Sequence, residues 1–152
     1  MASPLPREIV ELDSIKAVLE DGIIVITVGG GGIPVVDTGN GEYRGTAAVI
    51  DKDYASSLLA REIGADLLLI ATAVEKVALG YGTPAQRWVD LMTLAEAREL
   101  LAEGTHFARG SMAPKMQAIV WYLEAGGTQA LITNPQNIGR ALRGETGTWI
   151  SP

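Results

Sequence analysis

The sequence predicts an α/β sandwich with a largely parallel sheet, and three observations carry that prediction. Three short runs, IIVITV at 23–28, DLLLIAT at 66–72 and QALIT at 129–133, are apolar at consecutive positions, as a strand covered on both faces must be. Around them, apolar residues recur at three- and four-residue spacing, which places them on one face of a helix. Glycines stand where those helical stretches stop.

In chain order, residues 1–6 read as an irregular lead-in. Ile9, Leu12, Ile15, Val18 and Leu19 mark a first helix ended by Gly22, and the strand 23–28 follows. Four glycines, Gly29, Gly30, Gly31 and Gly32, then form a loop closed by Ile33 and Pro34. A second glycine-rich stretch, 38–45, reads as a turn or exposed loop. Residues 47–50 read as a short strand entering Asp51-Lys52-Asp53. Ala55, Leu58, Leu59 and Ile63 mark a helix stopped by Gly64. After the strand 66–72, residues 74–81 fit short strands or a hairpin. Thr93 and Glu96 form a capping box for a helix over 93–102, with Gly104 behind it. Ser111 is a natural N-cap for a helix over 111–125, whose first turn tolerates Pro114. The strand 129–133 leads to Pro135, where a last helix starts and runs to Gly144, and 148–150 read as a final edge strand.

The chain has 152 residues, 47% hydrophobic and 20% charged, without repeat or linker, so a single domain over 1–152 is expected. The absence of cysteine excludes disulfides and thiolate metal sites. A net charge of −6 argues against a nucleic-acid partner. No apolar run is long enough to span a bilayer, and the N-terminus lacks the pattern of a secretory signal. A soluble, cytoplasmic protein is expected.

In folds of this class ligands sit at the carboxyl ends of the strands. The loops to inspect are therefore 29–37, 51–53, 72–82, 107–115 and 133–137. No glycine is followed by lysine, so a P-loop is absent. Gly80, Gly82 and Ala85 satisfy the looser dinucleotide pattern, but Pro84 falls inside the would-be phosphate turn and no clean helix follows. Gly29, Gly30, Gly31 and Gly32 directly follow a strand, and consecutive unobstructed N–H groups form anion-binding concavities. The plainer reading is a flexible turn, yet four glycines in a row are costly to order.

Of four lysines, two stand where strands give way to helices. Lys52 lies between two aspartates. It reads either as a surface ion pair with Asp53 as N-cap, or as a phosphate contact in a site where Asp53 positions a lysine. Lys115 is placed in a first helical turn, where a cation is unfavourable by some tenths of a kcal/mol; a lysine at a helix N-terminus does suit an anion. His106 is the only histidine and there is no GxSxG elbow, so neither a zinc site nor a serine triad is expected. Trp88, Trp121 and Trp149 share no spacing and read as packing residues.

Taken together, VGGGGIPVV (28–36), AAVIDKDYASSLLA (47–60), ADLLLIATAVEKV (65–77), YGTP (81–84), FARGSMAPK (107–115) and GETGTWI (144–150) form a set. In content, order and spacing this set resembles the C-terminal part of carbamate kinase, in the amino acid kinase family. The resemblance implies a three-layer αβα sandwich and a phosphotransferase of the arginine deiminase type of catabolism, interconverting ATP and carbamate with ADP and carbamoyl phosphate. It implies ATP/ADP with nucleotide-borne Mg²⁺ and no metal site of the protein's own. Residue by residue, Lys52 matches a nucleotide-phosphate lysine, Asp53 the aspartate that organises the lysines, and Lys115 a lysine near the transferred phosphoryl group. Thr72, Ala73, Val74, Val77, Tyr81, Gly82, Met112 and Pro114 fall where the family holds the adenosine. Gly29, Gly30, Gly31 and Gly32 match the loop at the carbamate and phosphoryl end.

The departure is in length. Carbamate kinases are much longer, and their N-terminal half has no counterpart here: it carries the first glycine-rich phosphate loop, a further active-site lysine and much of the subunit contact. Glu75 also stands where many relatives have aspartate. Alternative readings are a non-catalytic nucleotide-binding module, another amino acid kinase of acetylglutamate or uridylate type, or a dinucleotide binder resting on residues 80–85. A homo-oligomer, or a complementing N-terminal fragment, is the expected partner. The chain is expected either to self-associate through a surface other than the family's usual interface or to present an unusually exposed apolar edge, with the strands 23–28 and 47–50 the most at risk.

Overall fold

The computed structural model describes residues 1–152. Its helices and strands follow in the order α1 (Leu12–Glu20), β1 (Val35–Asp37), β2 (Tyr43–Gly45), α2 (Lys52–Glu62), β3 (Leu67–Ala71), β4 (Val77–Leu79), β5 (Arg87–Val89), β6 (Leu91–Thr93), α3 (Leu94–Glu103), α4 (Met112–Glu124), β7 (Gln129–Thr133), a 3₁₀ turn (Pro135–Asn137), α5 (Ile138–Leu142) and β8 (Thr148–Ser151). The central sheet has the order β3-β7-β8-β6. β3 pairs with β7 and β6 with β8 in parallel, while β7 and β8 are antiparallel. β1–β2 and β4–β5 form two separate antiparallel pairs.

Register sorts the sheet into two faces. Leu68, Ala130, Ile150 and Met92 lie side by side across the four strands, and all are buried in one cluster with Ala60, Ala97, Met116, Ile119, Val120 and Leu123 from α2, α3 and α4. The next row, Leu69, Leu131, Trp149 and Leu91, faces the other way. There, α5 covers Leu131 beside Gly147, whose α-hydrogen position could not hold a methyl group without meeting Leu131 and Ala141. Helices thus lie on both sides of a mainly parallel sheet, the expected architecture.

The pair β4–β5 joins this core through the buried Val77, Leu79 and Val89 and is tied to it by hydrogen bonds of one threonine. The Thr148 hydroxyl accepts from the Val77 N–H at 2.8 Å and donates to the Val89 carbonyl at 2.5 Å, fully buried. Val77 and Val89 are directly opposite each other, so one side chain completes both strands. At the other end of the sheet, the Tyr122 hydroxyl donates to the Ala65 carbonyl at 2.5 Å. Gly126 ends α4 with a left-handed φ of 99°. Gly127 serves a different purpose: a Cβ there would lie 2.5 Å from the Tyr122 ring.

Several expected elements form as read. The capping box is complete, with the Thr93 hydroxyl accepting from the Glu96 N–H and the Glu96 carboxylate accepting from the Thr93 N–H at 2.7 Å, and Gly104 closes α3 in the left-handed region. The ambiguous residues 74–81 hold β4 of a hairpin, and 38–45 contribute to the exposed hairpin β1–β2.

Five expectations are corrected. Residues 23–28 are not a buried strand: no strand pairs with them, and Ile24 and Ile26 are 92% and 97% exposed. A run apolar on both faces becomes a buried strand only when neighbours cover it. Residues 47–50 form only an isolated bridge between Ala48 and Ala2. β8 is interior rather than an edge, because β6 occupies the side that β7 leaves free. The N-cap of α2 is Asp51, not Asp53, since Asp51 is the residue with extended backbone before the first turn and its carboxylate accepts from Asp53 N–H. Ser111 stands at the N-cap position of α4 but its side chain caps nothing.

Candidate active site

The connections 63–66 and 125–128 are short, so α2 and α4 return directly into β3 and β7. The N-termini of both helices therefore lie at the carboxyl ends of both strands. α2 and α4 are also cross-linked to each other. The Lys115 ammonium donates to Asp53 Oδ2 at 2.8 Å, and one turn further along both helices the Ser57 hydroxyl donates to the Ala118 carbonyl at 2.7 Å. The same order on both helices means that they run in the same direction. Small residues at the seam, Ala55, Ser57, Ala60 and Ala118, are all buried and permit this approach. Tyr54 and Trp121 extend it, with ring centroids 4.9 Å apart, which gives Trp121 the packing role expected of it.

Asp53 Oδ2 is the centre of the arrangement. Besides Lys115 it has the Lys52 ammonium at 3.6 Å. Lys115 and Asp53 are buried, whereas the Lys52 side chain is 58% exposed. One carboxylate oxygen thus faces two ammonium groups, one fixed and one free to reach outward. Asp51, by taking the Asp53 N–H at 2.8 Å, sets the first turn from which Asp53 points inward. Sequence reasoning missed Asp51 because both aspartates of the DKD segment suit an N-cap. The phenol of Tyr54 has a raised pKa, from burial first and then the carboxylates of Asp51 and Asp53.

The glycine loop abuts the same end. Gly31 has φ 130°, and a Cβ on it would fall 2.1 Å from the Ile50 carbonyl oxygen, immediately before Asp51. No side chain but hydrogen fits. Gly29 and Gly32 also have left-handed φ, and Gly30 lies between them in the turn. The four glycines, Lys52, Asp53 and Lys115 are thereby drawn to one end of the sheet. Two helix N-termini, positive by the alignment of their peptide dipoles, converge on that end with two ammonium groups.

The expected adenosine residues are more scattered. Thr72 donates its N–H to the Thr133 carbonyl at 2.8 Å, which fixes the start of the loop after β3. Ala73 is exposed and Val74 half-buried. Val77 is fully buried in the core with its N–H on Thr148, so it shapes this loop from beneath. Tyr81 is exposed, and Gly82 lies in the turn before β5 with its N–H donated to Gln86 at 2.9 Å. Met112 and Pro114 are half-buried in the first turn of α4, close to Lys115 in the chain. Residues 80–85 run into a strand rather than a helix, which removes the structural context a dinucleotide fingerprint needs.

A polar cluster not anticipated from sequence fastens the loop after β3. The Thr146 hydroxyl hydrogen-bonds to the Glu75 carboxylate, and the Arg140 guanidinium lies 3.9 Å from the same oxygen. Nothing in the spacing of residues 75, 140 and 146 announces their meeting. His106 pairs with Glu103 at 2.8 Å at the end of α3, away from any second ligand of its type. An open groove of about 520 Å³, lined by residues that include Leu91, Gln129, Trp149 and Ser151, lies at the opposite end of the sheet from the lysines.

A family model for the amino acid kinase family matches residues 2–134. The chain belongs to the amino acid kinase family. Among its curated relatives, the carbamate kinase-like protein YahI of Escherichia coli K12 is 51% identical over 99% of this chain and 47% of the relative. The carbamate kinase of Pyrococcus horikoshii is 44% identical over 99% of this chain and 47% of its own length. Among solved structures, the carbamate kinase from Giardia lamblia bound to AMP-PNP superposes with a TM-score of 0.93 at 40% identity, over 98% of this chain and 46% of that one. The chain is carbamate kinase-like, and it spans about half the length of these relatives. No helix is long and apolar enough to cross a membrane.

Proposed function

We propose that this amino acid kinase chain provides the nucleotide-binding half of a phosphotransferase of carbamate kinase type, which interconverts ATP and carbamate with ADP and carbamoyl phosphate. The observation that carries this reading is the single oxygen of Asp53 held between Lys115 and Lys52 at two converging helix N-termini. Phosphoryl transfer asks mainly for positioning and charge neutralisation. In this reading Lys52, the more exposed of the two lysines, reaches the nucleotide phosphates. Lys115, oriented by Asp53, faces the phosphoryl group in transit, and N–H groups of the 29–32 loop border the acceptor end. Thr72, Ala73, Val74, Tyr81, Gly82, Met112 and Pro114 border the adenosine, with Val77 supporting them from the core. Mg²⁺ arrives on the polyphosphate and neutralises part of its charge. The Giardia relative's complex with an ATP analogue supports an adenine nucleotide as the ligand class.

Calorimetric titration of the folded chain with Mg·ADP tests this reading. Saturable heat that is lost or strongly weakened in Lys52→Ala is the expected result, and no heat from a chain shown to be folded overturns it. A second reading, nucleotide binding without turnover, is favoured by the chain spanning 47% of the YahI relative. Carbamoyl phosphate-dependent ATP formation by the chain alone would decide against that second reading.

A further inference from the structure

The loop between β3 and β4 is held by the main chain only at its two ends. The Thr72 N–H donates to the Thr133 carbonyl at 2.8 Å, and the Val77 N–H donates to the Thr148 hydroxyl at 2.8 Å. Between them, no N–H from Ala73 to Lys76 donates to another main-chain group. Two side chains fasten this stretch instead. Lys76 forms an ion pair with Asp90. The Glu75 carboxylate accepts from the Thr146 hydroxyl, and the same oxygen faces the Arg140 guanidinium at 3.9 Å. Thr146 is buried, and a buried hydroxyl needs a partner; the one it has comes from a loop 71 residues away. Arg140 is itself fixed, donating to Asn137 Oδ1 at 3.1 Å in the turn after β7. The tie therefore joins the loops that leave two neighbouring parallel strands, β3 and β7.

We propose that Glu75 is a positioning residue for the nucleoside end of the ligand: clamped by Thr146 and Arg140, it fixes the course of residues 72–76 along which the adenosine lies. The proposal rests on the nucleotide reading above and adds to it a residue that touches no reacting group. Its physical content is preorganisation. A loop already ordered in the free chain loses less conformational freedom when the nucleoside arrives, and binding is tighter by that difference. The phosphates meet Lys52 and Lys115 on α2 and α4, and neither lysine bonds to this loop. The Glu75 tie should thus strengthen binding of a nucleotide and leave binding of an inorganic polyphosphate as it is.

The test compares the full chain with Thr146→Val, which keeps the shape and removes the hydroxyl at a position outside the nucleotide contacts. Calorimetry with Mg·ADP should show affinity weakened about tenfold, while affinity for Mg·pyrophosphate stays within about twofold. In the chain without ligand, amide exchange at residues 73–76 should quicken by about tenfold. Thr146→Ser, which restores the hydroxyl, should return both quantities toward wild type. Glu75→Ala, at a half-exposed position, should give the same split between the two ligands, and it decides the matter if Thr146→Val does not fold. Equal weakening of both ligands would mark a general loosening and overturn the proposal, as would unchanged exchange at 73–76. Wild type that binds Mg·ADP and a Thr146→Val chain that binds it equally well would overturn the positioning role alone. Wild type that binds no Mg·ADP would overturn the nucleotide reading and this role with it.

Discussion

Lys115 Nζ and Asp53 Oδ2 meet at 2.8 Å across the seam between α2 and α4, each side chain about nine-tenths buried. Truncating the carboxylate strands a buried ammonium, and breaking such a pair costs about 3–5 kcal/mol. Asp53→Ala is therefore expected to lower the urea midpoint sharply. Lys115→Met should cost less, because Lys52 still faces the carboxylate, and adding it to Asp53→Ala should recover part of the loss.

Thr148 should prove as important as any apolar core residue. Thr148→Val keeps the shape but leaves the Val77 N–H and the Val89 carbonyl without their buried partner. The expected cost is about 1–3 kcal/mol in chemical denaturation. Proteolytic nicking should then rise first in the turn between β4 and β5.

Gly127→Ala is expected to destabilise by about 1–3 kcal/mol, as overpacking does. The added methyl would displace the Tyr122 ring and with it the hydrogen bond to Ala65. Combining it with Tyr122→Leu should remove most of the clash, and a double-mutant cycle by thermal unfolding would show this as strong non-additivity.

The Glu96 carboxyl is held below its usual range, first by the hydrogen bond from the Thr93 N–H and then by the Thr93 hydroxyl. A pKa lowered on folding contributes stability that is present above the ordinary glutamate value, about 4.3, and lost as pH falls through the lowered one. Wild type should therefore be more stable than Glu96→Gln at neutral pH, and the two unfolding midpoints should converge in acid. A constant difference across pH would rule out the charged capping box as its source.

Sequence reasoning located the parts of the fold that are governed by local chemistry. The capping box at Thr93 and Glu96, the strand 129–133 and the glycine stops were legible because each depends on a few adjacent residues. Lys115 stood out because a cation in a first helical turn is unfavourable, and the structure brings it against Asp53 beside Lys52. β6 was not legible, since three residues with an exposed leucine at one end carry no periodic signal. Nor was the bare state of residues 23–28, because an apolar run specifies what a strand needs and not whether its neighbours are present. The Glu75, Arg140 and Thr146 cluster depends on a contact between residues up to 71 positions apart, which spacing cannot express.

The convergence of α2 and α4 has a kinetic consequence. The chain carries a net charge of −6, so its long-range field repels a polyanion, while two ammonium groups and two helix ends attract one at close quarters. At physiological ionic strength charges are screened beyond about 8 Å, so in the proposed function an arriving polyphosphate responds chiefly to the charges at this end of the sheet, Lys52, Lys115 and the helix dipoles, offset in part by Asp51 and Asp53. Diluting the salt lengthens that range and lets the distant carboxylates be felt. Capture at this end of the sheet should then slow on dilution, the opposite of what a broadly basic surface would give.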